Sequence, residues 1–388
     1  MASRQVEQQL ILISAGTGAR RLAMAELADR LAADVDWRSL AATLHSRRLL
    51  PTLGPRIVDL ANGRADPAFS AEVDRSIAAG RRHGAFLQLV AVRAIAMLAE
   101  AGIRSSPLKG PLLGEVLYGD PGRRPSGDVD LLVPADQLHM AVDVIRGLGY
   151  GAPNDYVDDR SGLPLLHLML VHERQQLPPI ELHWRVHWYE ERFARERLLP
   201  PPDHALGDWR PEPADELVAL LLFYARDGFV DLRLASDLGA WWDAHGAAVP
   251  HDAIADLVFA YPQLARVVVV AATVAEKMVG LPARQIIRDA PTLRVRERMA
   301  ARLANPHPRS SSAQLYADIG LIDGLLMPRG DFNAFVRRQV LPPPQVLDQH
   351  ARHASRRRAR SPLARGLGVL GRYGLTMARL ARAPETLV

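Results

Sequence analysis

The sequence predicts an α+β fold, mostly helical, in which a small α/β core is flanked by helical regions on either side. Three observations carry that expectation. Apolar residues recur at helical spacing from residue 4 to about 101 and again from 213 onward. Between 105 and 190 the texture changes to short apolar runs punctuated by Gly- and Pro-containing turns. Inside that middle stretch, Gly-Asp-Val-Asp-Leu-Leu-Val-Pro (127–134) reads as a core strand that opens on two carboxylates. The expected divisions are 1–102 (N-terminal helical region), 103–195 (small α/β core), 196–345 (C-terminal helical domain) and 346–388 (basic tail with an amphipathic helix).

The elements follow in order. Asp36 is placed to cap a helix through Trp-Arg-Ser-Leu, and Asn62-Gly63 stops the helical run that follows. Residues 68–101 read as one long helix, with Gly102 where a C-terminal residue of positive φ belongs. Ile-Arg-Ser-Ser-Pro-Leu-Lys-Gly is a short strand and turn, and Pro111 sits in the first turn of a short helix. A loop, Asp-Pro-Gly-Arg-Arg-Pro-Ser-Gly, leads to the Asp-Val-Asp strand, and a helix runs from Pro134 to a closing Gly. Two extended runs, 163–173 and 179–186, are joined by a polar turn and predict a hairpin. Helices resume with Pro-Ala-Asp-Glu-Leu-Val-Ala-Leu and continue to about 340, where Leu-Pro-Pro-Pro-Gln marks a linker.

Composition narrows the function. The 388 residues hold no cysteine, which excludes disulfides, thiolate zinc sites and thiol catalysis. No basic leader precedes an apolar core at the N-terminus, and the longest apolar stretches read as too short for a bilayer, so a soluble, cytoplasmic protein is expected rather than an integral membrane protein. The net charge of +5 is uneven: from Gln349 onward there are nine Arg and one Glu, leaving the preceding body at −3. Leu363, Leu367, Leu370, Tyr373 and Met377 mark one face of a basic amphipathic helix in that tail. A solvated segment is its plain reading; the functional one is docking to nucleic acid or another acidic partner. Lys109 and Lys277 are the only lysines, so a Lys inside a motif stands out.

Residues two apart on a strand share a face. Asp128 and Asp130 are therefore co-facial, with Val129, Leu131 and Val133 turned to the core. Adjacent carboxylates repel and resist desolvation, and a divalent cation relieves both costs. In Ile-Glu-Leu-His-Trp-Arg-Val (180–186), Glu181 lies on the polar face of a core strand; set beside the Asp strand, it completes a three-carboxylate site. Lys109 and Gly110 lie between a strand and a short helix, where a glycine admits close approach and the helix start favours phosphate. Arg123 and Arg124 either contact phosphate or brace the loop. His183 and His187 lack a zinc-protease spacing, so no zinc site is expected from that pair; His183 instead orients Glu181 or contacts substrate. Arg233 and Asp237, four apart on a helix, predict a surface ion pair. Trp184, Trp188, Trp241 and Trp242 read as core, and Asp155, Asp158 and Asp159 as a solvated loop.

The pieces Leu-Lys-Gly-Pro-Leu-Leu-Gly-Glu-Val-Leu-Tyr, Arg-Arg-Pro-Ser-Gly-Asp-Val-Asp-Leu-Leu-Val and Ile-Glu-Leu-His-Trp together resemble the uncharacterised bacterial nucleotidyltransferase family of the DNA polymerase β-like superfamily. The likeness extends over about residues 30–250 and takes in the flanking helical segments. It implies Mg²⁺- (or Mn²⁺-) dependent nucleotidyl transfer from an NTP, by default ATP. It assigns metal binding and catalysis to Asp128, Asp130 and Glu181, and nucleotide binding to Lys109, Gly110, Arg124 and Ser126. Better characterised superfamily members carry Gly-Ser in the turn and Ser directly before the first Asp; here the turn is Lys-Gly, and Gly127 separates Ser126 from Asp128. Some relatives are associated with lasso peptide biosynthesis, which makes a peptide one candidate acceptor. Two alternatives stay open: kinase-like phosphoryl transfer to a peptide natural product, and a non-catalytic antitoxin-like binding module.

Overall fold

A computed structural model describes residues 2–151, 166–174, 177–188, 190–201, 209–250, 252–287, 293–304, 312–328, 337, 370–371, 373–376 and 378. The N-terminal helices are α1 (Ala2–Ala15), α2 (Gly18–Ala23), α3 (Ala25–Asp34), α4 (Trp37–Ser46), α5 (Leu50–Leu60) and α6 (Pro67–Glu100). The middle of the chain holds β1 (Ser106–Pro107), α7 (Pro111–Tyr118), β2 (Val129–Leu132), α8 (Leu138–Arg146), β3 (Tyr150–Gly151), β4 (His167–His172) and β5 (Ile180–His183). There follow α9 (Arg192–Arg197), α10 (Pro213–Arg226), α11 (Leu232–His245), α12 (Ala253–Ala260), α13 (Ala265–Val279), α14 (Ala283–Ile286), α15 (Val295–Leu303) and α16 (Ser312–Leu326). This is a mixed α+β fold, mostly helical around a small central sheet.

The local signals act as their chemistry requires. Asp36 caps α4 by accepting from the backbone N–H groups of Arg38 and Ser39. Asp66 caps α6 in the same way, with Pro67 in the first turn. Asn62, Gly63 and Gly102 all have positive φ where helices end. Along α6 the buried positions Phe69, Val73, Ile77, Leu87, Ala94 and Leu98 follow helical spacing. By length and composition alone that helix is long and apolar enough to cross a membrane, a test that the core helix of a globular protein also passes. Its buried face contributes to the cores described below.

The sheet order is β1-β2-β5-β4-β3. β1 runs antiparallel to β2, β2 parallel to β5, and the expected hairpin is the antiparallel pair β4–β5. Alternation along β2 serves two cores. Val129, Leu131 and Val133 pack with Ile145 of α8 and Leu98 of α6, whereas Leu132 joins the larger helical core. That larger core draws on both ends of the chain, from Leu10 of α1 to Ile322 of α16. The carboxylate face of β2 therefore turns toward the helices, not toward α8.

The loop before β2 is clamped from several sides. Gly80 of α6 and Gly122 meet backbone to backbone; a Cβ on Gly80 would stand 2.3 Å from the Gly122 carbonyl oxygen. Thr52 donates its hydroxyl to the Arg123 carbonyl at 2.6 Å, His83 donates Nε2–H to the Ser126 carbonyl at 3.1 Å, and Arg233 donates to the Pro125 carbonyl at 3.2 Å. Asp120 is paired with Arg81 and accepts from the Gly122 N–H. Side chains from α5, α6 and α11 thus fix a loop with no regular structure beyond one short turn.

After β5, Glu190 accepts from the backbone N–H groups of Val186 and Ala194, tying the exit of the strand to α9. Burial pushes its carboxyl up to about 7, against the opposing pull of those two donors. The folded form therefore holds a proton that the unfolded chain, titrating near the ordinary 4.5, releases first. The resulting stability is fully present below about pH 4.5 and is lost as pH rises through about 7. Urea melts at pH 5 and pH 8 should show the native protein losing on the order of 2–3 kcal/mol relative to Glu190→Gln. Parallel pH profiles for the two proteins would remove the assignment.

Of the tail, residues within 370–378 are helical and Thr376 donates to Asp318 of α16 at 2.7 Å. The rest of the expected amphipathic face, and Asp155, Asp158 and Asp159, lie outside the described residues. Trp241 is fully buried, and Trp184, Trp188 and Trp242 are half-buried.

Candidate active site

The site grows from the parallel pairing of β2 with β5. Its register sets Asp130 opposite Glu181 and Leu132 opposite His183, so the acids of two sequence-distant strands share one face. Asp128 immediately precedes β2 on the same side and accepts from the Ser126 hydroxyl at 3.0 Å. Asp130 is 4% exposed, and its Oδ1 takes Lys109 Nζ at 3.4 Å and His183 Nε2–H at 2.9 Å. Glu181 Oε2 lies 3.3 Å from His183 Nε2 and 3.6 Å from His167 Nε2.

These contacts divide the three acids. Burial raises Asp128, and the neighbouring charges of Asp130 and Glu181 raise it further. Burial also pushes Asp130 up, but Lys109 and then the His183 hydrogen bond outweigh it and hold that carboxyl well below the usual range. Glu181 is held down in the same manner, with burial opposed by His183 and His167. Asp128 is thus the acid with uncompensated like-charge neighbours. A hard-oxygen donor set with surplus negative charge fits a divalent cation such as Mg²⁺.

Lys109 lies over the Phe223 ring of α10, 4.6 Å from its centroid, which steers the ammonium toward β2. Gly110 precedes α7 with φ 103° and ψ −157°, a conformation open almost only to glycine. A Cβ there would meet nothing within 4 Å, so the constraint is backbone strain alone. Gly110→Ala should therefore cost about 1–3 kcal/mol in chemical denaturation, and an unchanged midpoint would show that the turn relaxes.

Arg124 faces inward. It is 2% exposed, donates Nε–H to Asp237 Oδ2 at 2.9 Å, and reaches the Gly110 carbonyl from its terminal nitrogen at 3.3 Å. Asp237, fully buried, also accepts from the Tyr118 hydroxyl at 2.9 Å, and Ser236 accepts from Arg56 at 3.0 Å. The helical pair expected between Arg233 and Asp237 does not form; Arg233 turns to Asp231, at 3.3 Å. The Arg124 guanidinium from the loop occupies Asp237 inside the fold.

Two residues near the acids were not singled out from sequence. His167 enters through the β4–β5 register, which sets it opposite His183. Arg226, at the end of α10, adds positive charge that lowers Asp130. Neither has a spacing signal, because each arrives from another element. His187, the imidazole set beside His183 by the sequence, is fully buried, and burial drops it to about 3.

An acidic cross-strand cluster beside a Lys-Gly turn, in a mostly helical α+β fold, is a donor set able to hold a cation. The chain matches the family described as uncharacterised nucleotidyltransferase over residues 33–280, and it belongs to that family. Membership supports a nucleotidyltransferase-type activity. No curated protein and no solved structure matches the chain.

Proposed function

We propose that this protein is a Mg²⁺-dependent nucleotidyltransferase that moves a nucleoside monophosphate from an NTP to an acceptor hydroxyl or phosphate. The observation that carries this reading is the Asp130–Glu181 register between parallel strands, with Asp128 adjoining it and Lys109 at its edge. Asp128, Asp130 and Glu181 would hold the cation. When bound, Mg²⁺ or Mn²⁺ supplies charge neutralisation for the triphosphate and acidifies an attacking oxygen.

The chain's own groups account for the rest. Lys109 presents an ammonium to the phosphates, and Gly110 lets the triphosphate approach the backbone at the start of α7. Arg124 acts through the turn, holding the Gly110 carbonyl from inside the fold. Ser126 orients Asp128. The acceptor oxygen forms a bond to the α-phosphorus, the bond to the β-phosphate oxygen breaks, and pyrophosphate leaves with the electron pair. The acceptor's proton passes to a site carboxylate or to water.

ATP is the first nucleotide to test. A peptide acceptor, a lasso-peptide precursor included, rests on family resemblance; a small-molecule acceptor fits the same geometry. The protein is incubated with each of the four NTPs, Mg²⁺ and candidate acceptors, and products are weighed by mass spectrometry. A nucleotidyl adduct with released pyrophosphate supports the reading. A phosphoryl adduct points to the kinase-like alternative. Absence of any adduct, with cellular function intact after Asp128→Ala and Asp130→Ala together, leaves the binding-module reading.

A further inference from the structure

Two imidazoles stand among the acids, and the proposed transfer gives neither a bond-making step. The antiparallel register of β4 and β5 sets His167 opposite His183, while Glu181 is two residues from His183 on the same strand face. The two rings lie 4.7 Å apart between centroids, tilted by 37°. Both Nε2 atoms converge on one oxygen, Glu181 Oε2, from 3.3 and 3.6 Å. All three donor atoms lie within 4.8 Å of one another. Ligands held about 2.0–2.2 Å from a shared cation stand roughly 3.0–3.5 Å apart. Two of the three separations are therefore close to that spacing, and a modest turn of one ring closes the third.

Burial supports the same arrangement. His183 is fully buried, whereas His167 is 36% exposed at the side chain, so the cluster has a fixed floor and an open side. The Nδ1 atoms of both rings make no hydrogen bond among the described residues. On cation binding the His183 ring proton moves from Nε2, where it faces Asp130, to Nδ1, which leaves the Nε2 lone pair to the cation. Asp130 Oδ1, 2.9 Å from His183 Nε2, is within reach as a fourth donor.

Two imidazole nitrogens and a carboxylate are a poor set for Mg²⁺, which prefers oxygen, and a good one for borderline cations. We infer that His167, Glu181 and His183 form a site for a first-row transition-metal dication of the Mn²⁺–Zn²⁺ series, sharing Glu181 with the carboxylate pair. The site requires no nucleotide, although it shares Glu181 with the proposed transferase centre.

The test uses the full chain, stripped with EDTA and titrated with Co²⁺ and Zn²⁺ without nucleotide. The expected result is one tight equivalent of Co²⁺ with a visible spectrum of mixed nitrogen–oxygen coordination, displaced by Zn²⁺. His167→Gln, at a partly exposed position, should bind Co²⁺ and Zn²⁺ at least about 10-fold more weakly. As a measurement independent of any variant, electron spin echo spectra of the Mn²⁺-loaded native protein should show coupling to imidazole nitrogen. Equal affinity in His167→Gln, no stoichiometric Co²⁺ binding, or Mn²⁺ spectra without nitrogen coupling each overturn the site. A failed transferase assay would leave these binding results untouched, and the reverse also holds.

Discussion

Asp130→Asn should lower nucleotidyl transfer by about three orders of magnitude or more, equivalent to roughly 4 kcal/mol of transition-state stabilisation. The size follows from where that carboxylate sits. One oxygen of a side chain 4% exposed meets Lys109 at 3.4 Å and His183 at 2.9 Å, with Glu181 directly across the strand pair. Burial pushes the group up, but Lys109, His183 and Arg226 together hold it well below the usual carboxylate range, so the folded site holds a negative charge. Asparagine removes that charge and offers an amide N–H to neighbours that are already donors. The fold should tolerate the change better than the chemistry does, because Lys109 keeps its contact with the Phe223 ring. Pyrophosphate release at saturating ATP and Mg²⁺, read beside a thermal melt, separates the two effects. A folded Asp130→Asn protein within tenfold of the native rate would remove Asp130 from the metal site.

Asp237→Ala should cost about 3–5 kcal/mol of stability, the range for removing one partner from a buried ion pair. The loss strands the Arg124 guanidinium, 2% exposed, and deprives the Tyr118 hydroxyl of its 2.9 Å acceptor. Tyr118→Phe, which removes only a hydroxyl from the same cluster, should cost about 1 kcal/mol. Replacing both members of the pair, Arg124→Met with Asp237→Leu, should recover much of the deficit, since no unpaired charge then remains inside. The recovered protein would still lack the donor that holds the Gly110 carbonyl, so its KM for ATP should rise even where its melt is normal. Urea denaturation of the set measures this directly; a loss below about 1 kcal/mol in Asp237→Ala would show that the pair is solvated.

Much of the candidate site was legible before any coordinates. Asp128 and Asp130 declared themselves because charge at the head of Val-Asp-Leu-Leu-Val breaks a core-strand pattern, and Glu181 did so by alternation with Ile180 and Leu182. Lys109 stood out because nearly every other basic residue is Arg. The conditional step was whether the two strands are neighbours, and the parallel register answers it. Arg124 shows the opposite case: its position beside the acids suggested two roles, and nothing nearby in the sequence pointed to its partner Asp237, 113 residues away. His167 carried no signal at all, since its meaning depends on which residue of β5 it faces.

The sequence by itself determined the alternation of helix and strand, the capping residue Asp36, the glycine stops and the acids destined for one face, because each depends on spacing within a few residues. Only the tertiary structure decided that β2 lies between β1 and β5, that Phe223 and Lys109 meet, and that Asp237 serves the loop rather than its own helix. Those contacts join segments more than 20 residues apart in the chain. Local periodicity records which way a side chain faces; long-range packing alone selects what it finds there.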